Sequence, residues 1–361
     1  MKAKHGIVYL LLAIFSSSCI REEAPNAEAD ILSCRLPGVV MTTSPIITNN
    51  SINIFVGPGT DISSLTPEFT LTPGATIDPP SGTARDFHSP QQYTVTAADG
   101  FWKKKYAVSV IDTELATIYN FEDTLGGQKY YIFVEREGEK VVMEWASGNA
   151  GYAMTGVPKT ADDYPTFQIA NGKTGKCLSL VTRSTGFFGG LMGMPIAAGN
   201  LFIGSFDVGN AMSNPLKATK FGLPFRHIPT YLAGYYKYKA GDQFTESGKP
   251  VGGKRDICDI YAIMYETSES VPTLDGTNAF TSPNLISIAR IDDAKETDEW
   301  TYFKLPFNML AGKYIDKEKL TAGKYNVAIV FTSSLEGDHF NGAIGSTLLI
   351  DEVELIYRSE N

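Results

Sequence analysis

Apolar and polar residues alternate with a period of two in several short stretches, and this pattern constrains the fold more than any other feature. In the first part of the chain such stretches occupy 51–56, 68–73, 92–97 and 104–110, with Pro, Gly and Asn between them. Alternation of this kind, interrupted by turn residues, is typical of strands with one buried face. Helical periodicity is absent there, so we predict an immunoglobulin-like β-sandwich over 31–112.

Asp99-Gly100 predicts a hairpin turn between the last two of these strands. The dipeptide is a strong local signal for a tight turn, because both residue types tolerate a positive φ. Apolar residues alternate on either side of it, so the two arms can share one buried face. Those residues are Tyr93, Val95, Ala97, Tyr106, Val108 and Val110.

The second part of the chain, 113–361, is also rich in strand-like runs and has no comparable break in composition. Its longest runs are 259–266, 325–334 and 346–357, and only 316–320 favours a helical turn. We predict two packed antiparallel sheets in jelly-roll order. The expected fold class is therefore all-β, with an immunoglobulin-like sandwich followed by a larger jelly-roll sandwich.

The beginning of the chain indicates export. Lys2 and Lys4 precede an apolar run over 6–15, and three serines lead into Cys19. The run is shorter than the ~20 apolar residues that span a bilayer, so we expect a lipoprotein signal over residues 1–18 that is cleaved before Cys19. Lipid on Cys19 would then anchor the chain, with residues 19–30 as a tether. An ordinary secretory signal followed by a chance cysteine is the alternative.

The mature chain is acidic. Cleavage removes two of the 31 basic residues and none of the 40 acidic ones, which leaves a net charge of about −11 with neutral histidines. A surface of this sign repels phosphate groups. We therefore expect no nucleic-acid partner.

Three cysteines remain beyond the anchor, at Cys34, Cys177 and Cys258. They are far apart in sequence and match no zinc-binding spacing. Buried free thiols are expected, and a disulfide between one pair is the alternative.

Two groups of segments resemble known families. Residues 66–87 and 93–110 are similar to the N-terminal immunoglobulin-like domain of surface lipoproteins from gut anaerobes. Residues 222–241, 256–266, 299–307 and 324–355 resemble the carbohydrate-metabolism domain of such lipoproteins, which is itself similar to jelly-roll carbohydrate-binding modules. The resemblance implies a role in glycan handling, and it transfers no catalytic residue to this chain.

The four residues from Ile20 to Glu23 resemble the acidic signal that sends lipoproteins of polysaccharide-degrading gut anaerobes to the cell surface. The resemblance implies an outer-membrane lipoprotein that is exposed at the surface. A poly- or oligosaccharide is the expected ligand, and other surface glycan-utilisation proteins are the expected partners.

Common catalytic motifs are absent from the sequence. No serine lies in a Gly-x-Ser-x-Gly motif, no H-E-x-x-H occurs, and 248–254 lacks the Ser or Thr that a phosphate loop requires. We expect a binding protein. A glycoside hydrolase is the alternative, because it needs only two carboxylates roughly 5 to 10 Å apart, and Glu144, Asp207, Glu266 and Asp338 are candidates. A structural adhesion or pilus-type subunit is a second alternative.

Sugar-binding sites use exposed aromatic rings beside polar groups. Trp145 and Tyr152 lie in a glycine-rich segment, and Tyr236 and Tyr238 share one face of a predicted strand while Tyr235 lies on the other. We predict Trp145, Tyr152, Tyr236 and Tyr238 as ligand-binding residues. Packing in the core is the alternative for each of them.

Calcium is the one metal that the sequence suggests. Jelly-roll binding modules often hold calcium between their first and last strands, and Glu122 and Asp351 lie at the corresponding ends of the second region. Carboxylate and carbonyl oxygens are the ligands that calcium prefers. Plain surface acidity is the alternative, and no other cofactor is expected.

We predict that Cys19→Ala moves the protein out of the membrane fraction, because the short apolar run before Cys19 leaves lipid as the expected anchor. Fractionation followed by immunoblotting measures the effect, with Cys34→Ala as the matched control. A Cys19→Ala variant that still needs detergent for extraction would show that the lipoprotein prediction is wrong.

Overall fold

The computed structural model describes residues 27–39, 41, 45–47, 50–57, 59–112, 114–268 and 270–358. Strands make up 45% of the structure and helices 8%, which confirms the predicted all-β class. The signal sequence, Cys19 and the acidic residues after it lie outside the described residues, as does Thr113 at the predicted boundary. No helix among the described residues is long and apolar enough to cross a membrane.

The first region is a sandwich of a two-stranded sheet, β1 with β4, and a five-stranded sheet in the order β2-β3-β7-β6-β5. Strands β3 and β7 run parallel, and the other pairs are antiparallel. The strands are β1 Ile31–Arg35, β2 Ile46–Ile47, β3 Ser51–Val56, β4 Glu68–Leu71, β5 Thr76–Asp78, β6 Gln91–Thr96 and β7 Lys103–Asp112.

The hairpin predicted at Asp99-Gly100 is present between β6 and β7. Tyr93 pairs with Tyr106, and the Asp99 carboxylate accepts hydrogen bonds from two backbone N–H groups of the turn. Both tyrosine rings belong to a core whose buried members all lie between Ala29 and Val108. The first region thus buries an apolar core of its own.

The second region contains twenty-one strands and four short helices among the described residues. The strands are β8 Ile118–Tyr119, β9 Val134–Glu137, β10 Lys140–Glu144, β11 Thr166–Ile169, β12 Cys177–Val181, β13 Arg183–Ser184, β14 Ile196–Ala197, β15 Asn200–Phe202, β16 Gly204–Phe206, β17 Thr219–Phe221, β18 Leu223–Pro224, β19 Ile228–Lys239, β20 Phe244–Glu246, β21 Lys249–Pro250, β22 Asp259–Glu266, β23 Leu285–Arg290, β24 Thr297–Pro306, β25 Asn308–Met309, β26 Tyr325–Thr332, β27 Gly342–Ala343 and β28 Thr347–Arg358. The helices are α1 Asn149–Ala153, α2 Gly186–Leu191, α3 Pro215–Ala218 and α4 Lys317–Thr321, and 3₁₀ turns occupy Ala161–Asp163, Val208–Asn210 and Gly337–His339.

Two six-stranded antiparallel sheets dominate this region, as predicted. The first, sheet 1, has the order β11-β12-β28-β19-β24 with β8 also paired to β28. The second, sheet 2, has the order β15-β26-β22-β23-β25 with β18 also paired to β26. The remaining strands form four small sheets at the edges: β9-β10, β13-β14, β16-β17 and β21-β20-β27.

The largest apolar cluster, here called the main core, contains residues from both large sheets, among them Leu232, Ile260, Ile329 and Ile350. The helical turn predicted over 316–320 is also present, because Asp316 caps α4 by accepting a hydrogen bond from the Lys319 N–H at 3.0 Å. Local pattern and turn chemistry therefore agree with the observed packing.

All three described cysteines are free and buried, which confirms that expectation. Burial raises the pKa of the Cys34 and Cys177 thiols to about 12 and also raises that of Cys258. A thiol with such a pKa is almost never a thiolate at neutral pH, so these side chains act as small apolar groups.

A buried carboxylate, Asp256, fixes the loop that follows β26. Its Oδ2 accepts hydrogen bonds from the Ser334 and Ser346 hydroxyls, each at 2.6 Å, and from the Ala343 N–H at 2.8 Å. Its Oδ1 accepts from the Ile257 N–H at 3.0 Å. One carboxylate therefore ties the start of β22 to both ends of the segment 334–346.

We predict that Asp256→Asn lowers the free energy of unfolding by about 2 kcal/mol, because the amide removes the charge and cannot accept three hydrogen bonds at its NH₂ group. Urea denaturation measures the change. Asp293→Asn is the matched control, since its exposed ion pair with Lys295 should contribute less than about 0.5 kcal/mol. Equal stability of the Asp256→Asn variant and the parent would contradict the role assigned to Asp256.

Candidate functional site

A cleft of about 510 Å³ lies on the face of sheet 2 that points away from the main core. Alternate residues of β22 divide between two apolar clusters: Ile260 and Ala262 belong to the main core, whereas Tyr261 and Ile263 belong to a second cluster. This second cluster, here called the outer cluster, also contains Phe221 of β17 and, from the segment between β22 and β23, Leu274 and Ala279. The cleft opens where the cover that these residues form over the sheet is incomplete.

An ion pair between Asp259 and Arg290 forms the polar centre of the cleft. The Arg290 Nη2 lies 2.7 Å from Asp259 Oδ2, and Nε lies 3.1 and 3.0 Å from the two carboxylate oxygens. The two residues lie on one face because Arg290 pairs with Tyr261, two residues after Asp259. The Asp259 side chain is 5% exposed, whereas that of Arg290 is 37% exposed.

Burial raises the pKa of Asp259, while the hydrogen bonds and the charge of Arg290 act in the opposite direction. The negative charge of Asp338 adds a smaller upward contribution. Asp338 also lines the cleft, so the two carboxylates interact electrostatically there. The guanidinium is the group that stabilises a charge at Asp259.

Aromatic rings flank the ion pair. The Arg290 guanidinium carbon lies 4.5 Å from the centre of the Phe280 ring and 5.8 Å from that of Tyr261. The two rings are themselves 4.9 Å apart. Phe280 is 39% exposed at the edge of the cleft, so its ring can meet a ligand directly. The cleft thus combines the Arg290 guanidinium, which is fixed by Asp259, with the accessible ring of Phe280.

The segment 334–340 forms one wall of the cleft and carries Glu336, Asp338 and His339. The His339 Nδ1 lies 2.7 Å from Asp338 Oδ1, and Glu336 accepts a hydrogen bond from the Lys254 Nζ at 2.7 Å. Phe340 ends the 3₁₀ turn in a left-handed conformation with φ of 58°. Such a conformation is costly for a residue other than glycine, so the surrounding contacts must hold this wall in place.

The hairpin between β13 and β14 forms the rim of the cleft. Thr185, Phe188 and Met194 of this hairpin line it. The loop is closed at its base by hydrogen bonds from the Thr185 N–H to the Pro195 carbonyl and from the Met194 N–H to the Gly189 carbonyl. Phe188 is half-exposed and therefore offers a second ring to the cleft.

The family comparisons agree with this architecture. Residues 120–356 match the model of the Putative carbohydrate metabolism domain, and residues 31–110 match the model described as SGBP, N-terminal. The chain belongs to the carbohydrate-metabolism-domain family. None of the curated proteins matches it.

The solved structures that are similar to the chain include two Bacteroides proteins. A putative glycoside hydrolase from Bacteroides thetaiotaomicron VPI-5482 is 97% identical, with 94% of this chain and 100% of that chain covered and a TM-score of 0.78. A putative glycoside hydrolase from Bacteroides vulgatus ATCC 8482 is 49% identical, with 67% of this chain and 98% of that chain covered and a TM-score of 0.63. The chain is therefore a carbohydrate-related protein.

Three of the four predicted ligand-binding residues lie in the main core of the carbohydrate-metabolism domain. Trp145, Tyr236 and Tyr238 are buried, so the prediction that they offer exposed rings to a ligand is wrong. The Trp145 ring packs against Tyr119 and Phe331, with centres 5.0 and 6.1 Å away. Its indole N–H is satisfied by the Glu135 carboxylate at 2.8 Å.

The tyrosine run of β19 does divide between two faces, as the alternation predicts. Tyr236 and Tyr238 point into the main core. Tyr235 lies on the opposite face, where its ring is 5.2 Å from that of Tyr302 and lies under the Lys173 ammonium. Alternation correctly paired the residues, but it could not tell which face was buried.

Tyr152 is the one predicted ligand residue that lines the cleft. It is nevertheless buried, and its hydroxyl donates a hydrogen bond to the Ser184 carbonyl at 2.8 Å. The Tyr152 ring shapes the cleft beneath the β13–β14 hairpin, and its ligand contact stays a prediction.

The two predicted calcium ligands, Glu122 and Asp351, both bind the loop that contains Thr174 and Lys176, but they do so by accepting hydrogen bonds from its backbone. The Lys176 N–H donates to the Glu122 Oε1 at 2.8 Å, and the Thr174 N–H donates to the Asp351 Oδ2 at 3.1 Å. The two N–H groups thus occupy the carboxylate oxygens that would have to coordinate a calcium ion. Across the described part of the chain, no three His, Cys, Asp or Glu side chains cluster in a way that could hold a metal ion. Calcium stays a prediction that these contacts do not favour.

The carboxylates that the sequence suggested for a hydrolase do not lie together in one site. Asp338 lines the cleft, whereas Asp207 caps a 3₁₀ turn and Glu266 binds the Lys319 ammonium at 2.6 Å. Sequence reasoning missed Asp259 and Arg290. The position of Asp259 at the start of an otherwise apolar strand is the signal that could have found it, since a charge there must be paired.

We predict that the free energy of unfolding falls between about pH 5 and pH 8 because of Glu135. Burial raises the pKa of Glu135 to about 7 from 4.5, so over this range the native state binds a proton that the unfolded state releases. The loss should be roughly 1 to 3 kcal/mol, because the carboxylate is only partly buried and solvent screens it.

Glu135→Gln should remove this part of the pH dependence, whereas Glu139→Gln on the same hairpin should retain it. Urea denaturation at several pH values compares both variants with the parent. Identical pH profiles for the parent and Glu135→Gln would contradict the prediction.

Proposed function

We propose that the cleft on sheet 2 binds segments of a glycan chain. The observation that carries the proposal is the placement of Phe280 beside the Asp259–Arg290 pair in one open cleft. A sugar ring presents an apolar C–H face that stacks on an aromatic ring, and it presents hydroxyls that exchange hydrogen bonds with charged groups. The cleft offers both kinds of contact within one side chain's length.

The dimensions and lining of the cleft support the same proposal. Its volume of about 510 Å³ lies within the range typical of small-ligand sites. Most of its lining is apolar, with Phe188, Phe206 and Phe340 around the polar centre. A few fixed polar groups in an apolar cleft give orientation, while the rings supply most of the buried area.

Both family matches are consistent with glycan binding, since one describes a carbohydrate-metabolism domain and the other the N-terminal domain of SGBP proteins. We propose further that Cys19 carries lipid and that the protein is exposed at the outer surface of the outer membrane. In that position the first sandwich would hold the glycan-binding region away from the membrane and close to extracellular polysaccharide.

Glycoside hydrolysis is the second candidate, and one observation favours it. Asp259 and Asp338 line the same cleft and interact electrostatically, and burial raises the pKa of Asp259, as a general acid requires. Two of the similar solved structures are putative glycoside hydrolases. Against this, the Arg290 guanidinium stabilises the ionised form of Asp259, which suits hydrogen bonding to hydroxyls better than proton donation.

Reducing-sugar release from a panel of polysaccharides separates the two candidates. Binding without release by the parent supports the first. Release by the parent that is lost in both Asp259→Asn and Asp338→Asn would support the hydrolase and overturn the assignment of the cleft to binding alone.

We predict that Phe280→Ala weakens binding of the best oligosaccharide by about tenfold, or ~1.4 kcal/mol, because it removes the accessible ring next to Arg290. Isothermal titration calorimetry measures the change after the melting temperature has been checked. Phe101→Ala is the matched control, because Phe101 is an exposed phenylalanine on the first sandwich. Equal affinities of the parent and a folded Phe280→Ala variant would contradict the assignment of glycan binding to this cleft.

A further inference from the structure

The basic groups at the cleft are already paired with carboxylates of the protein. Among the described residues that line it, the ionised side chains are Asp259, Arg290, Glu336 and Asp338, and His339 is the only other titratable base. Three carboxylates and one guanidinium give a formal charge of −2. A ligand entering the cleft therefore meets a surface that is acidic on balance.

The strongest cation, Arg290, has little positive potential to offer to an anionic ligand. Asp259 engages both its Nε and its Nη2, at distances between 2.7 and 3.1 Å. A ligand carboxylate that displaced Asp259 would leave a carboxylate with 5% exposure unpaired, which is costly. The Nη1 group, which Asp259 does not engage, can still donate hydrogen bonds to neutral hydroxyls.

Lys254, which is bound to Glu336 of the 334–340 wall, is neutralised in the same way. The Lys254 Nζ lies 2.7 Å from the Glu336 carboxylate and 2.8 Å from that of Glu246. The nearby His339 ring shares its Nδ1 with Asp338. Each basic group at this wall is thus bound to at least one carboxylate, and Lys254 is bound to two.

We infer that the cleft selects neutral glycan segments and discriminates against segments that carry uronic-acid carboxylates or sulfate esters. This inference rests on the proposed glycan-binding function and names its ligand class. Among the described residues that line the cleft, an anionic sugar would find no unpaired cation, and it would lie near the carboxylates of Glu336 and Asp338. We therefore expect repulsion to lower its affinity. The net charge of −9 for the whole chain acts in the same direction at longer range.

Matched pairs of oligosaccharides test the inference. Each pair has the same linkage and length and differs only in a hydroxymethyl group or a carboxylate at C6, or in the presence of sulfate. We expect the neutral member of the best pair to bind at least about tenfold more tightly in calorimetry. Its affinity should change less than about twofold between low and high salt, because no net charge is neutralised on binding.

Asp338→Asn tests the electrostatic cause. Asp338 is about half exposed, and its replacement should lower the ratio of the neutral member's affinity to the acidic member's affinity several-fold. Asp293→Asn, which removes an exposed carboxylate that does not line the cleft, is the matched control and should change neither affinity.

The outcomes distinguish this inference from the function on which it rests. Tighter binding of acidic members, or an affinity that falls steeply with salt, would overturn the selection for neutral sugars and leave glycan binding in place. An unchanged preference in Asp338→Asn would overturn the repulsion as its cause. Failure of every member to bind would overturn the proposed function and the inference with it.

Discussion

Burial of β22 on both faces is the constraint on which the rest of the second region depends. In an ordinary two-sheet sandwich the outer face of each sheet is solvated, and its strands alternate between apolar and polar residues. Here Ile260 and Met264 pack in the main core, whereas Tyr261 and Tyr265 pack in the outer cluster. A sheet buried on both faces needs a cover, and the loops from β15 to β18 and from β22 to β23 supply it. The cleft lies where this cover is incomplete, next to the end of β22 that carries Asp259.

A charged residue at the buried end of such a strand must be paired with an opposite charge. Asp259 cannot reach bulk solvent, so its charge is stabilised by Arg290 on the neighbouring strand, and the Arg290 guanidinium in turn lies against the Phe280 ring. Each contact fixes the next. The strand register places Arg290 next to Asp259, the Asp259 carboxylate orients the guanidinium, and the Phe280 ring packs against the guanidinium plane. The site is therefore rigid before any ligand arrives, which reduces the entropy lost on binding.

The sequence allowed the fold to be predicted further than the site. Alternation and turn residues locate most strands and the hairpin at Asp99-Gly100, because these signals are local. The same alternation placed Tyr236 and Tyr238 together, but burial depends on which surface the other sheet covers, and that is set by distant residues. The site is less predictable still, because Asp259, Phe280 and Arg290 come from two strands and a loop without periodicity. Their proximity follows from sheet register and not from spacing.

Fixed loops connect this sandwich to the glycan recognition that we propose. The Asp256 carboxylate binds both ends of the 334–346 segment, and the wall it anchors brings Glu336 and Asp338 to the cleft. A mobile wall would let its carboxylates move away from an approaching anion, and the selectivity that we propose would be lost. Because a buried carboxylate with four hydrogen bonds resists displacement, the acidic wall keeps its position, and the proposed discrimination by charge would be a property of the fold itself.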